Sequence, residues 1–247
     1  MALHVYLKEN TSKKRKAINI ASYITLGFGV LLLFWSFYPV ISFELYSRFI
    51  LKNGVESPFP SNSKSTSIQA AQSVLGSNDA FSSNLKDFTQ AHLWFPTKQE
   101  EGEKKAGGVQ EYYLTIPRIN IAKAKVVVGG DDLTKSLVHY VPRSMPGEFG
   151  NVSIFGHSTL PQLYDEKDYK TIFTYLPSLQ KGDTILITVG DMEYEYEVYD
   201  MFVVNPDKIS VLDQQFDASY LTLVTCVPPG TFWKRLVIKA KLLRLPQ

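Results

Sequence analysis

The sequence predicts an all-β domain, closed into a barrel, carried behind a single membrane-crossing helix. Three observations support this. Residues 17–43 form an uncharged, strongly apolar run. A polar, proline-bearing stretch follows it. From Tyr112 onward, short strand-like runs alternate with turn signals.

The apolar run comes first in the chain. As a helix, residues 17–43 would extend about 40 Å, against roughly 30 Å of bilayer hydrocarbon. Tilt, or an end near Pro39, would absorb the excess. Trp35 and Tyr38 lie toward its far end, where amphipathic rings favour the headgroup level. Lys13, Lys14, Arg15 and Lys16 stand directly before it, which predicts a cytoplasmic N-terminus and an exterior remainder. A retained anchor is favoured over a cleaved signal, because Phe43-Glu44-Leu45-Tyr46 is too bulky for a small-residue cleavage site. Residues 1–16 then form a basic cytoplasmic tail and 17–43 the transmembrane helix.

Residues 44–110 read as an extracellular stalk. Their middle, residues 57–67, is rich in serine and proline, and residues 98–108 are charged and glycine-bearing, both compositions of linkers. Short helices are expected at 68–75 and 84–94.

Residues 111–247 form the folded domain. Strands are expected at 113–116, 125–128, 151–155, 184–189, 194–199, 201–204, 221–225 and 236–242. Turn signals such as Gly129-Gly130-Asp131, Lys181-Gly182-Asp183 and Gly190-Asp191 separate most of them. Glu193-Tyr194-Glu195-Tyr196-Glu197-Val198 alternates strictly, which puts its apolar residues on one face. Leu236, Ile238, Ala240 and Leu242 likewise share a face. Many short strands with few helices suit a sandwich or a barrel, and closure into a barrel removes exposed edges.

Composition narrows the function. The formal net charge is +2. The basic tail alone accounts for more than that, so the body is near neutral and unsuited to binding nucleic acid, which needs a concentrated basic face. There is one cysteine, Cys226, so no intramolecular disulfide can form. The thiol is either a small buried hydrophobe or a reactive group. Asp165-Glu166-Lys167-Asp168 lacks the spacing of a calcium loop and reads as a solvated turn. No metal site and no cofactor are expected.

One constellation carries chemistry. Thr222-Leu223-Val224-Thr225-Cys226 is a strand ending on the thiol. A proline-rich loop follows, and the next strand opens with Lys234-Arg235-Leu236, which would put Cys226 and Arg235 on one rim. Phe155-Gly156-His157 ends another strand with an imidazole, and His139 in Leu137-Val138-His139-Tyr140 competes with it on spacing alone. A free thiol, with a pKa near 8.5, is mostly protonated at neutral pH. A neighbouring cation favours the thiolate. An imidazole could protonate a leaving amine, and a guanidinium could hold a carbonyl or a developing oxyanion. Together these groups describe acyl transfer through a thioester.

At these residues the sequence resembles the sortase family. Thr222-Leu223-Val224-Thr225-Cys226 resembles the TLxTC motif, with Arg235 following at the start of the next strand. Asn151-Val152-Ser153-Ile154-Phe155-Gly156-His157 resembles the strand that supplies the family's histidine. Leu114-Thr115-Ile116-Pro117 resembles the opening strand, and Pro146-Gly147 with Gly150-Asn151 the approach to the histidine. The resemblance implies a closed eight-stranded barrel with short helices in its loops. It implies a membrane-anchored transpeptidase at the cell surface, which cleaves an LPxTG-like sorting signal and passes the acyl group to an amine of a cell-wall precursor or protein. It also implies catalysis by Cys226, His157 and Arg235, with Thr225 supporting substrate or oxyanion and residues 205–219 shaping the peptide groove. It selects His157 over His139. The alternatives are a thiol peptidase that transfers only to water and a non-catalytic surface module.

Overall fold

The computed structural model describes residues 12–49, 52–53, 89–95 and 110–244. The chain divides into two compact units, Met1–Ser42 and Phe43–Gln247. Most of the expected stalk, including the helix expected at 68–75, lies outside the described residues.

Helix α1 spans Ser12–Phe49. Its segment Arg15–Tyr38 has a mean hydropathy of 1.9 and is unburied by the rest of the protein. Ile24, Leu31, Phe34 and Trp35 on it are exposed. The helix is long and apolar enough to cross a membrane. It does not end near Pro39. The helix continues to Phe49, with Phe43 and Ser47 already buried in the second unit.

The second unit is a barrel. Its strands are β2 (Glu111–Ile116), β3 (Ile121–Val128), β4 (Leu137–His139), β5 (Gly150–Phe155), β6 (Thr184–Val189), β7 (Met192–Val204), β8 (Ser219–Val227) and β9 (Lys234–Arg244). They are ordered β7-β6-β2-β3-β4-β5-β8-β9, and a β7–β9 pairing closes the ring at eight strands. A two-residue strand, β1 (Lys52–Asn53), adds in parallel to β7 at Phe202 and Val203. The pairings β3–β4 and β5–β8 are parallel, and the other barrel pairings are antiparallel. Single 3-10 turns occupy Pro117–Ile119, Pro161–Leu163, Leu176–Ser178 and Ile209–Leu212.

Two strand expectations change. Residues 194–199 and 201–204 belong to one strand, β7, interrupted by a register shift between Val198 and Asp200. A bulge inserts a residue and flips the alternation, which in sequence looks like a strand end. Strand β4 was not expected. It is three residues long and buried on both faces, so it shows no alternation.

Alternation divides the core in two. Leu114, Val126, Leu137, Val152, Ile154, Tyr196, Val198, Leu221, Leu223, Ile238 and Ala240 fill the barrel interior. Val138, Phe155, Val204, Val224, Cys226 and Val237 form a second cluster with Ala91, Trp94, Phe95, Leu133 and Val211. Neighbouring residues such as Leu223 and Val224, or Ile238 and Val237, fall in different clusters, so the second cluster covers the outer face of the wall. Residues 89–95 are therefore no stalk. Trp94 and Phe95 are completely buried on that face, and the expected helix at 84–94 is, where described, a 3-10 turn at Ala91–Leu93.

Candidate active site

Cys226 and Arg235 are direct register partners on β8 and β9. Alternation puts both on the outer face, beside Val224 and Val237. Strand β5 runs parallel to β8 with Phe155 opposite Val224, so His157 leaves the end of β5 on the same side. Gly156 precedes it because a Cβ there would come within 2.5 Å of Leu137 and of Phe173 side-chain atoms. The Phe173 amide donates to the His157 carbonyl at 2.9 Å.

Segment 89–95 lies across these groups. The Trp94 ring stacks on Phe155 at 5.6 Å, stands 5.5 Å from the His157 ring and lies under the Arg235 guanidinium at 5.3 Å. Arg235 donates from one terminal nitrogen to the carbonyls of Phe232 and Lys234, and from the other to the Trp94 carbonyl at 3.2 Å. The strap is tied down by backbone contacts with residues 131–133 and by a 2.8 Å hydrogen bond between His92 Nδ1 and the Asp131 carboxylate.

Burial sets the electrostatics. Burial pushes the Cys226 thiol up to about 11, although Arg235 opposite it pulls the other way. Burial lowers His157 to about 4, opposed by Asp132 and Asp168. Under the strap the thiol is protonated and the imidazole neutral. His157 Nε2 and Arg235 Nε are buried with no hydrogen-bond partner among the described residues.

His139 lies elsewhere. It shares the inner face of β4 with Leu137, is wholly buried, and meets Tyr112 edge-on at 5.9 Å. The sheet separates it from the thiol. Thr225, expected to support substrate or oxyanion, precedes Cys226 on β8. It alternates with Cys226 to the inner face, is completely buried, and its hydroxyl donates to the Gly156 carbonyl at 2.8 Å.

Residues 205–218, the connection from β7 to β8, are bolted to the wall. Lys239 Nζ donates to the carbonyl of Val211 and to Thr222 Oγ1. The Thr222 hydroxyl donates to Asn151 Oδ1 at 2.6 Å, and Asn151 Nδ2 donates to the Asp213 carbonyl. Asp165 and Asp168 accept from amides two residues ahead, as turn residues do. Among the described residues no cluster of His, Cys, Asp and Glu could hold a metal ion.

The sequence reading missed the strap. Leu93-Trp94-Phe95 is a bulky apolar run inside a polar stretch, and that contrast was the available signal.

A closed barrel that presents its lone cysteine beside an arginine and a histidine at one rim has the layout of a cysteine acyltransferase domain. A family model described as "Sortase domain" matches residues 114–243, just over half of the chain, and the chain belongs to the sortase family of cysteine transpeptidases. It is 30% identical over 149 residues to Sortase D of Bacillus subtilis (strain 168), covering 58% of this chain and 69% of that protein. It is 32% identical over 93 residues to Sortase A of Bacillus anthracis, covering 38% of this chain and only 40% of that relative. Among solved structures, it resembles the Sortase D5 transpeptidase of Clostridium perfringens at 28% identity and a TM-score of 0.48, covering 64% of this chain and 98% of that one.

Proposed function

We propose that the protein is a membrane-anchored transpeptidase that cleaves an LPxTG-like sorting signal through a thioester on Cys226 and transfers the acyl group to an amine at the cell surface. The observation that carries this reading is the in-register pairing of Cys226 with Arg235 on the face toward which β5 delivers His157.

The peptide enters by displacing the strap from Arg235. Exposure of the rim removes the burial that holds the thiol and imidazole neutral. The Sγ proton passes to His157, and the thiolate attacks the scissile carbonyl. Arg235, freed from the Trp94 carbonyl, donates to the carbonyl oxygen as charge grows on it. His157 returns its proton to the leaving amine, and the thioester remains. An incoming amine attacks the thioester, gives its proton to His157 and releases the new amide and the thiol. Residues 205–219 shape the peptide groove. The helix Arg15–Tyr38 is the anchor, with the basic tail inside and the barrel outside. Residues 111–247 carry the catalytic domain, with the strap as its N-terminal accessory.

The test is a ligation assay with an LPxTG-like peptide, with and without an amine acceptor. Acceptor-dependent ligated product is expected. Hydrolysis unchanged by the acceptor would favour the peptidase reading, and no turnover would sink both. Protease added to intact cells should digest the barrel and spare the extreme N-terminus. Protection of the barrel would reverse the orientation.

A further inference from the structure

The parallel ladder between β5 and β8 runs from Gly150 opposite Ser219 to Phe155 opposite Val224, and the Gly156 amide extends it to the Val224 carbonyl at 3.2 Å. Beyond that point two hydroxyls continue the connection. Thr225 Oγ1 donates to the Gly156 carbonyl at 2.8 Å. Ser158 Oγ donates to the carbonyl of Cys226 itself at 2.6 Å. The two ties are reciprocal. The residue before the cysteine holds the residue before the histidine, and the residue after the histidine holds the cysteine. His157 is bracketed between them.

We propose that Ser158 is a positioning residue of the site, whose hydroxyl fixes the spacing between the His157 imidazole and the Cys226 thiol. This rests on the assignment of His157 and Cys226 as the reacting pair. Two parallel strands that end at a rim have no ladder beyond it to keep their last side chains in register. The chain turns away after His157, toward the 3-10 turn Pro161–Leu163. Without a tie at Ser158, the histidine loop is held by the Phe173 amide on its carbonyl and by the Thr159 amide on Thr174 Oγ1. Both of those bonds connect to the 171–174 turn region, not to β8. Ser158 is therefore the side chain that links the histidine loop directly to the nucleophile's own backbone. Thr225 makes the complementary link one residue earlier on each strand.

Proton transfer between Sγ and the imidazole requires the two within hydrogen-bond reach, and small misplacements cost rate steeply. Loss of the Ser158 hydroxyl should act on the reacting pair and leave peptide affinity alone.

The test compares the parental protein with Ser158→Ala and Ser158→Thr. Two measurements are made on each: peptide acylation kinetics, and the pH profile of Cys226 alkylation by iodoacetamide. Ser158→Ala should lower kcat by roughly tenfold to a hundredfold, with KM within about twofold, and should displace the alkylation profile. Ser158→Thr keeps the hydroxyl and should restore both to near the parental values. Parental kinetics and an unmoved profile in Ser158→Ala would overturn the proposal. Equal impairment in the Ala and Thr variants, or a rise in KM with kcat kept, would also overturn it. Alkylation needs no sorting peptide. A parental protein that never acylates would refute the transpeptidase reading, while the alkylation profiles would still decide the role of Ser158.

Discussion

At the scale of the residue, the site sets a thiol and an imidazole, both held neutral by burial, beside a buried guanidinium. His139 shows the same physics without the chemistry. Its imidazole is completely enclosed, and burial lowers it from 6.5 to about 4. Between those two values the unfolded chain takes up a proton that the folded chain refuses, so stability falls as pH drops from about 6.5 to 4. The loss is on the order of 3 kcal/mol once pH is below 4. His157 titrates in the same direction. His139→Leu should flatten the acid limb of a Tm-against-pH curve and still form an acyl-enzyme. An unchanged acid limb would show that His139 is solvated, and a loss of acylation would show that the wrong imidazole was chosen. Arg235 carries two duties, since the group proposed to hold the oxyanion also holds the strap. Arg235→Ala should lower acylation by about 10²–10³, the usual effect of losing one such donor. Arg235→Lys, without the planar fork, should recover only part. Parental acylation in Arg235→Ala would leave Arg235 a purely structural group.

At the scale of the element, the strap packs into the same outer-face cluster as the thiol. Trp94 contributes a ring to Phe155, His157 and Arg235 at once, and its carbonyl takes one terminal nitrogen of the guanidinium. Trp94→Ala should cost about 3–5 kcal/mol of stability, as for other buried large aromatics. The same change uncovers Cys226, so its alkylation at neutral pH should accelerate even as the fold weakens. Slower or unchanged alkylation would mean that the strap does not shield the thiol. The elements also show what sequence can and cannot reveal. Strict alternation in 193–198 and 236–242 identified the inner faces of β7 and β9, because a half-buried strand must alternate. The break at Val198 and Asp200 concealed that β7 is one strand, and the doubly buried β4 carried no period at all. The pairing of Cys226 with Arg235 was legible because the two lie near the facing ends of one strand–loop–strand unit, whereas His157 lies two residues beyond the end of β5. The orientation of Thr225 was not used, although alternation beside Cys226 already put its side chain on the opposite face.

At the scale of the whole molecule, the core of the barrel draws on residues that precede Glu111. The outer core contains Ala91, Trp94 and Phe95, which come from the stretch that composition alone marks as linker. Composition averages over many residues, and a short buried run inside a polar segment is diluted by its surroundings. A chain beginning at residue 89 should melt cooperatively. One beginning at residue 110 should melt on the order of 10 °C lower, given the cost of losing such aromatics. Equal melting temperatures would show that the strap is only lightly docked.

Intact-mass spectrometry of the enzyme after brief exposure to LPxTG-like peptides decides whether Cys226 carries the acyl group with His157 as its proton partner. The expected result is a mass increase equal to the acyl fragment, localised to Cys226 and discharged by an added amine. No such adduct is expected in Cys226→Ala, and none within the same interval in His157→Ala. An adduct that survives in Cys226→Ala, or that forms at the parental rate in His157→Ala, would contradict that assignment.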